Sequence, residues 1–118
     1  MLKAVWQQYL PQKPTFTERD VPPGSQVGKV FIVTGTNKGI GYELAKMLYF
    51  TGATIYLTVT PGPASPTTLK TLYLDLAHLT TIEASTATFA AQEIRFDILW
   101  NNAGIGGKPK GTTTKQNL

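Results

Sequence analysis

The spacing of apolar residues changes several times along this chain, and each change marks an element. Residues 29–34 (KVFIVT) form a short β-branched apolar run, the pattern of a strand buried on both faces. Ile40, Leu44, Met47 and Leu48 then recur at helical spacing, an amphipathic stripe that Gly52 brings to an end. Residues 53–59 (ATIYLTV) return to a strand pattern. Leu72, Leu74 and Leu76 alternate within residues 69–76 and predict a third strand. Ile82, Phe89 and Ala90 mark the buried side of a second helix. Thr80 or Thr81 is its expected cap, with Glu83 as the capping-box partner of Thr80. Residues 96–100 (FDILW) predict a fourth strand. Strands alternating with helices imply a parallel α/β sheet.

The interruptions are as regular as the elements. Pro11, Pro14, Pro22, Pro23, Gly24 and Gly28 break any long helix in residues 1–28, which read as an N-terminal arm. Within it, Met1–Leu10 reads as a short helix with Val5, Trp6, Tyr9 and Leu10 on one side, packed on the surface rather than anchored in a membrane. Residues 61–68 (PGPASPTT) are a breaker-rich loop, and residues 105–118 read as a loop-like tail.

Composition narrows the chemistry. At 118 residues the chain is one domain at most. It has no cysteine, which removes disulfides and thiolate chemistry, and its one histidine, His78, excludes a histidine-rich metal site. No apolar run reaches the ~18 residues of a membrane span, and no signal-peptide core precedes the first strand; a cytoplasmic setting is expected. The net charge of +4 is scattered, apart from Lys108, Lys110 and Lys115 in the tail. No aromatic or base-reading motif accompanies them, so they read as a solvated tail and not as a nucleic-acid surface.

The sharpest signal is Thr34-Gly35-Thr36-Asn37-Lys38-Gly39-Ile40-Gly41, between the first strand and the first helix. Glycine there permits a sharp turn and a close approach of pyrophosphate to the backbone, while the helix start presents unpaired N–H groups. The strand before and helix after give the pattern its weight. Its spacing, Gly-x3-Gly-x-Gly, resembles the TGxxxGIG element of the short-chain dehydrogenase/reductase family. Asn101-Asn102-Ala103-Gly104 resembles that family's NNAG element, and Leu74-Asp75-Leu76 its Asp-Leu element after the third strand. Residues 13–30 further resemble the lead-in of its retinol-dehydrogenase-like members, including many from filamentous fungi. The resemblance runs from about Gln12 to about Leu118.

The resemblance implies that Gly35, Gly39, Ile40 and Gly41, with Asn37 in the same loop, cradle the cofactor phosphates. It implies that Asp75 accepts a hydrogen bond from the adenine amino group. Asn102, with Asn101, would brace the fourth strand, and Ala103 and Gly104 would let the ribose pass. For the cofactor itself, the acid that binds the NAD ribose diol is missing at Thr58, Val59 and Thr60. The Arg that some NADP-preferring relatives carry is missing at Thr60 as well. Lys38 lies in the glycine loop, where a cation favours a dianionic 2′-phosphate, so NADP is expected over NAD.

The family's catalytic Ser and Tyr-x-x-x-Lys have no counterpart in this chain. Tyr9–Lys13 contains Pro11 and precedes the first strand. Tyr42–Lys46 lies on the helix after the glycine turn, one helical turn apart, and reads as a surface contact. The family's helix between strands two and three is replaced by about ten residues that span roughly 33 Å when extended. That is enough to return along a short strand but less than the usual crossover, so one face of the sheet should be poorly covered. The fourth strand should present an apolar edge. Together these features describe a truncated Rossmann fold: an arm (1–28), a partial dinucleotide-binding unit (29–104) and a tail (105–118). Its sheet is four-stranded and parallel, order 3-2-1-4, with flanking helices. Three readings follow. The chain is the NADP-binding part of a short-chain dehydrogenase/reductase, inactive alone. Or it is a nucleotide-binding or regulatory module that self-associates or pairs with a full-length relative through the open edge. Or it is a fragment that does not fold stably.

Overall fold

Strand β1 (Val30–Val33) pairs in parallel with β2 (Thr54–Val59) on one side and β4 (Ile98–Trp100) on the other. β2 pairs in turn with β3 (Leu69–Tyr73), giving the order β3-β2-β1-β4. Helix α1 (Ile40–Tyr49) follows β1, and helix α2 (Thr80–Gln92) follows β3. This is the α/β arrangement expected from the sequence. The computed structural model describes residues 13–59, 69–105, 107 and 109–116. The helix expected over residues 1–10 and the loop at 61–68 lie outside the described residues. Among those described, no helix is long and apolar enough to cross a membrane.

The sheet buries unequal faces. Phe31, Val33, Ala53 and Ile55 form the core on the α1 side, backed by Leu44, Leu48, Leu57, Leu69 and Trp100. Phe31 and Trp100 meet edge to face with ring centroids 5.2 Å apart, tying β1 to β4. The helix stripe differs from the expected one. Gly41 and Ala45 are its buried positions, whereas Ile40 is 81% exposed and Met47 is also exposed. Small residues at 41 and 45 let the helix approach the sheet closely, which rotates the larger Ile40 and Met47 outward. Over β3 no described element covers the α1-side face: Thr71 and Tyr73 are exposed. Only nine residues join β2 to β3, fewer than a crossover helix needs.

The opposite face carries Val30, Tyr56 and Leu72, with Ile32 and Phe89 packed against them. The buried Tyr56 ring meets Phe89 edge to face at 5.0 Å. Its hydroxyl reaches Gln92 Oε1 (3.1 Å) and Glu93 Oε1 (2.9 Å), and Lys70 Nζ meets the same Glu93 oxygen at 2.5 Å. Burial raises the Tyr56 pKa, and the Lys70 ammonium lowers that of Glu93. Helix α2 is otherwise thinly seated. None of its residues is buried; Thr81, Ser85 and Phe89 are its half-buried face, Ile82 lines the space beneath the helix while remaining 39% exposed, and Ala90 is exposed. A cavity of about 510 Å³ remains beneath it, lined by Leu72, Leu74, Leu76, Phe96 and Leu99 among others. At the sheet edge Ile98 and Leu99 are 41% and 44% exposed, the apolar edge expected for β4.

Two local devices fix the ends of these elements. The arm runs back over the C-terminus of α1, where the Gly24 and Gln26 N–H groups bond the carbonyls of Phe50 (3.0 Å) and Thr51 (2.9 Å). Carbonyls at a helix end lack intrahelical donors, and the arm supplies them. At the entry to β4, Val30 and Asp97 bond reciprocally. The Val30 N–H donates to Asp97 Oδ2 (2.9 Å), and the Asp97 N–H donates to the Val30 carbonyl (3.0 Å). Arg95 grips the same carboxylate, with Nη2 2.6 Å from Oδ1.

That carboxylate gives a pH signature. The Arg95 guanidinium, then the Val30 N–H, lower the Asp97 pKa to about 2. A carboxylate free in the unfolded chain titrates near ~3.9. The stabilisation is therefore complete above about pH 4 and lost as pH falls through about 2. Asp97→Asn should melt below the parent at pH 6, and the gap should narrow as pH drops from about 4 toward 2. A gap that stays constant over that range would show that the charge contributes nothing.

Candidate functional site

The C-terminal ends of all four strands point into one cleft. It has a volume of about 630 Å³, and Gly35, Asn37, Lys38, Thr58, Asp75 and Asn102 are among the residues that line it. In open parallel sheets such a crevice is where ligands bind.

Thr34 organises its floor. The hydroxyl donates to the Trp100 carbonyl (3.1 Å) and accepts the N–H groups of Asn102 and Ala103 (2.9 Å each). That uses the one donor and both acceptor sites of a hydroxyl. Asn102 reciprocates: its Nδ2 donates to the carbonyls of Thr34 (3.0 Å) and Gly35 (3.2 Å). The start of the glycine turn and the end of β4 are thereby locked together across the sheet.

The glycines serve this closure. Gly35 has φ +68°, and a Cβ on it would stand 2.8 Å from Ala103 Cα. A Cβ on Gly41 would stand 2.4 Å from both Asn102 Nδ2 and the Gly35 carbonyl oxygen. Their close neighbour is thus the Asn102–Ala103 segment itself. Gly39 differs: its φ is +68°, but a Cβ there would meet nothing within 4 Å. It is the N-cap of α1 and supplies no side-chain cap, so the helix start faces open space. The first bond of the helix runs from Glu43 N–H to the Gly39 carbonyl (3.2 Å), which leaves the preceding N–H groups without intrahelical acceptors.

β2 and the β3–α2 loop form the other walls. The Thr58 hydroxyl accepts the Gly35 N–H (3.2 Å), and the buried Thr36 hydroxyl donates to the Thr58 carbonyl (3.2 Å). Asp75 is held by its backbone: its N–H donates to the Thr81 hydroxyl at 3.0 Å, and that hydroxyl lies 2.9 Å from the Asp75 carbonyl. Asp75 Oδ1 accepts the Ala77 N–H (2.9 Å), an Asx turn that orients the carboxylate on the cleft wall. Thr81 sits inside α2, whose N-cap is Leu79, so the expected Thr80–Glu83 capping box does not form.

The residues expected from sequence separate into three groups. Gly35, Asn37, Lys38, Asp75, Asn102, Ala103 and Gly104 line the cleft. Gly39, Ile40 and Gly41 stand at the start of α1 beside it, with Gly41 packed under the turn. Asn101 faces the apolar cavity beneath α2 instead. Of the Tyr-x-x-x-Lys strings, Tyr42 and Lys46 form a surface contact on α1: Lys46 Nζ lies 5.3 Å from the Tyr42 ring centre and pairs with Glu43 at 3.0 Å. Tyr9 and Thr60 lie outside the described residues. The sequence reading missed Thr58 as a structural acceptor and Thr112, Thr113 and Thr114 as part of the cleft wall. A β2-terminal hydroxyl opposite the glycine turn was a usable signal for the first. Nothing in the tail's composition marked the second.

Known proteins similar to this chain share a family. The family model for short chain dehydrogenases matches residues 29–118. The chain is 55% identical to the short-chain dehydrogenase/reductase iacJ of Pestalotiopsis fici, with 99% of this chain and 41% of that protein covered. It is 40% identical to a short-chain dehydrogenase/reductase of Phomopsis amygdali, covering 88% and 35%. Against pkfC of Emericella nidulans the identity is 39%, covering 87% and 37%. The chain thus spans about two fifths of the length of these relatives.

The turn's internal packing predicts that Gly41→Ala harms the chain without any ligand. The added methyl must displace Asn102 or the Gly35 carbonyl, an overpacking cost of about 3 kcal/mol. Thermal melting in nucleotide-free buffer checks this; an unchanged transition would mean that the turn yields freely.

Proposed function

Because the chain belongs to the short-chain dehydrogenase/reductase family, we propose that its cleft holds NADP, with the pyrophosphate over the glycine turn and the adenine toward Asp75. Members of the family bind nicotinamide dinucleotides. The observation that carries the reading is the juxtaposition, in one cleft, of the turn before the uncapped α1 N-terminus, the Lys38 side chain and the Asp75 carboxylate. Space left open at Gly39 admits a phosphate to the N–H groups of Ile40 and Gly41. Gly35 and Asn37 flank that path. Asp75 accepts from the adenine amino group. Asn102 braces the β4 end, so that Ala103 and Gly104 present their backbone to the ribose, while Asn101 faces the α2 side.

Lys38 decides the choice of dinucleotide in this reading. Its ammonium favours a 2′-phosphate. The Thr58 hydroxyl, engaged with Gly35, does not replace the acid that an NAD ribose diol calls for. In full-length relatives the bound nicotinamide exchanges hydride with an alcohol or carbonyl. After β4 the chain offers no proton donor for that step: from Asn101 onward there is no Tyr, Ser, His, Asp or Glu. The reading includes a cytoplasmic setting. A second reading, a nucleotide-binding module that pairs with another copy or a full-length relative, is favoured by the exposed Ile98 and Leu99 on the β4 edge.

Calorimetric titration of the two dinucleotides tests the first reading. Lys38 is exposed, so the preference for NADP should amount to about 1 kcal/mol, roughly fivefold, and Lys38→Ala should abolish it. Equal affinities in the parent, or a preference that survives in the variant, refute the assignment.

The 118-residue chain should also show no carbonyl-dependent NADPH oxidation, since general acid catalysis alone is worth ~10²–10⁴-fold. Turnover with simple aldehydes or ketones would overturn this. Chromatographic size separates the readings further: a concentration-dependent dimer lost in Leu99→Lys supports pairing through β4.

A further inference from the structure

The segment after β4 folds back instead of running outward. Thr112 closes a turn on Pro109, its N–H (3.1 Å) and hydroxyl (2.7 Å) both donating to the Pro109 carbonyl. Two anchors follow. The Lys115 N–H donates to the Ala77 carbonyl at 2.9 Å, and Gln116 Oε1 accepts the Leu79 N–H at 3.0 Å. Both anchors lie on the β3–α2 loop that carries Asp75. Between the turn and the anchors, Thr112, Thr113 and Thr114 line the cleft with Asp75 and Lys38.

Gln116 also serves α2. No side chain of the helix caps Leu79, and Gln116 bonds the N-cap N–H that a capping-box residue ordinarily takes. One contact thus ties the start of α2, the Asp75 loop and a wall of the cleft together.

We propose that residues 109–116 form a strap across the adenine end of the cleft, and that Gln116 is a positioning residue for the adenine half of the dinucleotide. The inference rests on the NADP reading above and deepens it. A wall without secondary structure must be ordered before it can contact a ligand, and ordering it beforehand lowers the entropic cost of binding. Gln116 does not itself line the cleft. It acts by holding Thr112–Thr114 against the loop of Asp75. The nicotinamide half gains nothing from the strap.

Two dinucleotide fragments separate the effects. Adenosine 2′,5′-bisphosphate and nicotinamide mononucleotide are titrated separately into the parent chain, Gln116→Met and Gln116→Glu, in about 0.15 M salt to screen the added charge. Gln116→Met keeps the length but loses the acceptor, and should weaken the adenosine fragment about fivefold, the effect of one ordinary hydrogen bond. Nicotinamide mononucleotide should bind it as it binds the parent. Gln116→Glu restores the acceptor and should recover the adenosine affinity. Equal binding of the adenosine fragment by the parent and Gln116→Met overturns the strap alone, as does a parallel loss for both fragments or a failure of Gln116→Glu to rescue. A parent that binds neither fragment overturns the dinucleotide reading, and the strap with it.

Discussion

The fold depends on one saturated hydroxyl. Thr34 directly follows β1 and bonds three backbone groups of the β4 end, while Asn102 returns two bonds to the β1 end. β4 contributes only three residues to the sheet, too few for ladder bonds alone to hold its register. Side-chain bonds therefore do work that strand pairing leaves undone. At the other end of the same strand pair, Val30 and Asp97 bond reciprocally. β1 and β4 are thus clamped at both ends, and the Phe31–Trp100 contact fills the space between.

The cleft follows from that clamp. Drawing Asn102 against the carbonyls of Thr34 and Gly35 leaves no room for a side chain at Gly41 and little at Gly35. The chain must turn sharply and start α1 at once, so the helix N-terminus opens beside the strand ends. Gly39 is the position where the glycine pattern leaves empty space instead of filling it. A motif read as one phosphate cradle therefore contains two kinds of glycine: those that close the protein on itself and one that keeps the helix start open.

Legibility in the sequence tracked the range of the interactions. Runs such as VFIV and TIYLTV carry their burial in the residues themselves, and the sheet order follows from the strand–helix alternation and the resemblance together. The α1 stripe was displaced because helical periodicity places Ile40 and Leu44 on one face but says nothing of how closely Gly41 and Ala45 let the helix approach. The α2 cap was missed for a related reason. Thr80 and Glu83 have capping-box spacing, but Thr81 is committed to the backbone of Asp75, and the Leu79 N–H is bonded by Gln116, 37 positions away. Local patterns yield local structure, and an acceptor delivered by a distant segment leaves no periodic trace. Asn101 shows the same limit at a motif: its neighbour Asn102 turns into the clamp, and Asn101 is left facing the α2 cavity.

The cleft and that cavity are not independent. Thr58, Leu74, Leu76 and Ala103 line both, so a single layer of residues separates the strand-end cleft from the more apolar groove under α2. Helix α2 spans this groove with a half-buried face and is secured by Thr81 at its start, by the Ser85 hydroxyl on the Tyr73 carbonyl, and by the Tyr56–Lys70–Glu93 cluster just beyond its last turn. The groove of about 510 Å³ under α2 is open at its rim, where Leu76, Phe96 and Leu99 are exposed, so apolar side chains there remain in contact with solvent. Polar contacts fix the wall along its length: the Asx turn at Asp75, the Thr81 grip, the Ser85 hydroxyl on the Tyr73 carbonyl beside Leu74, and the Gln116 anchor.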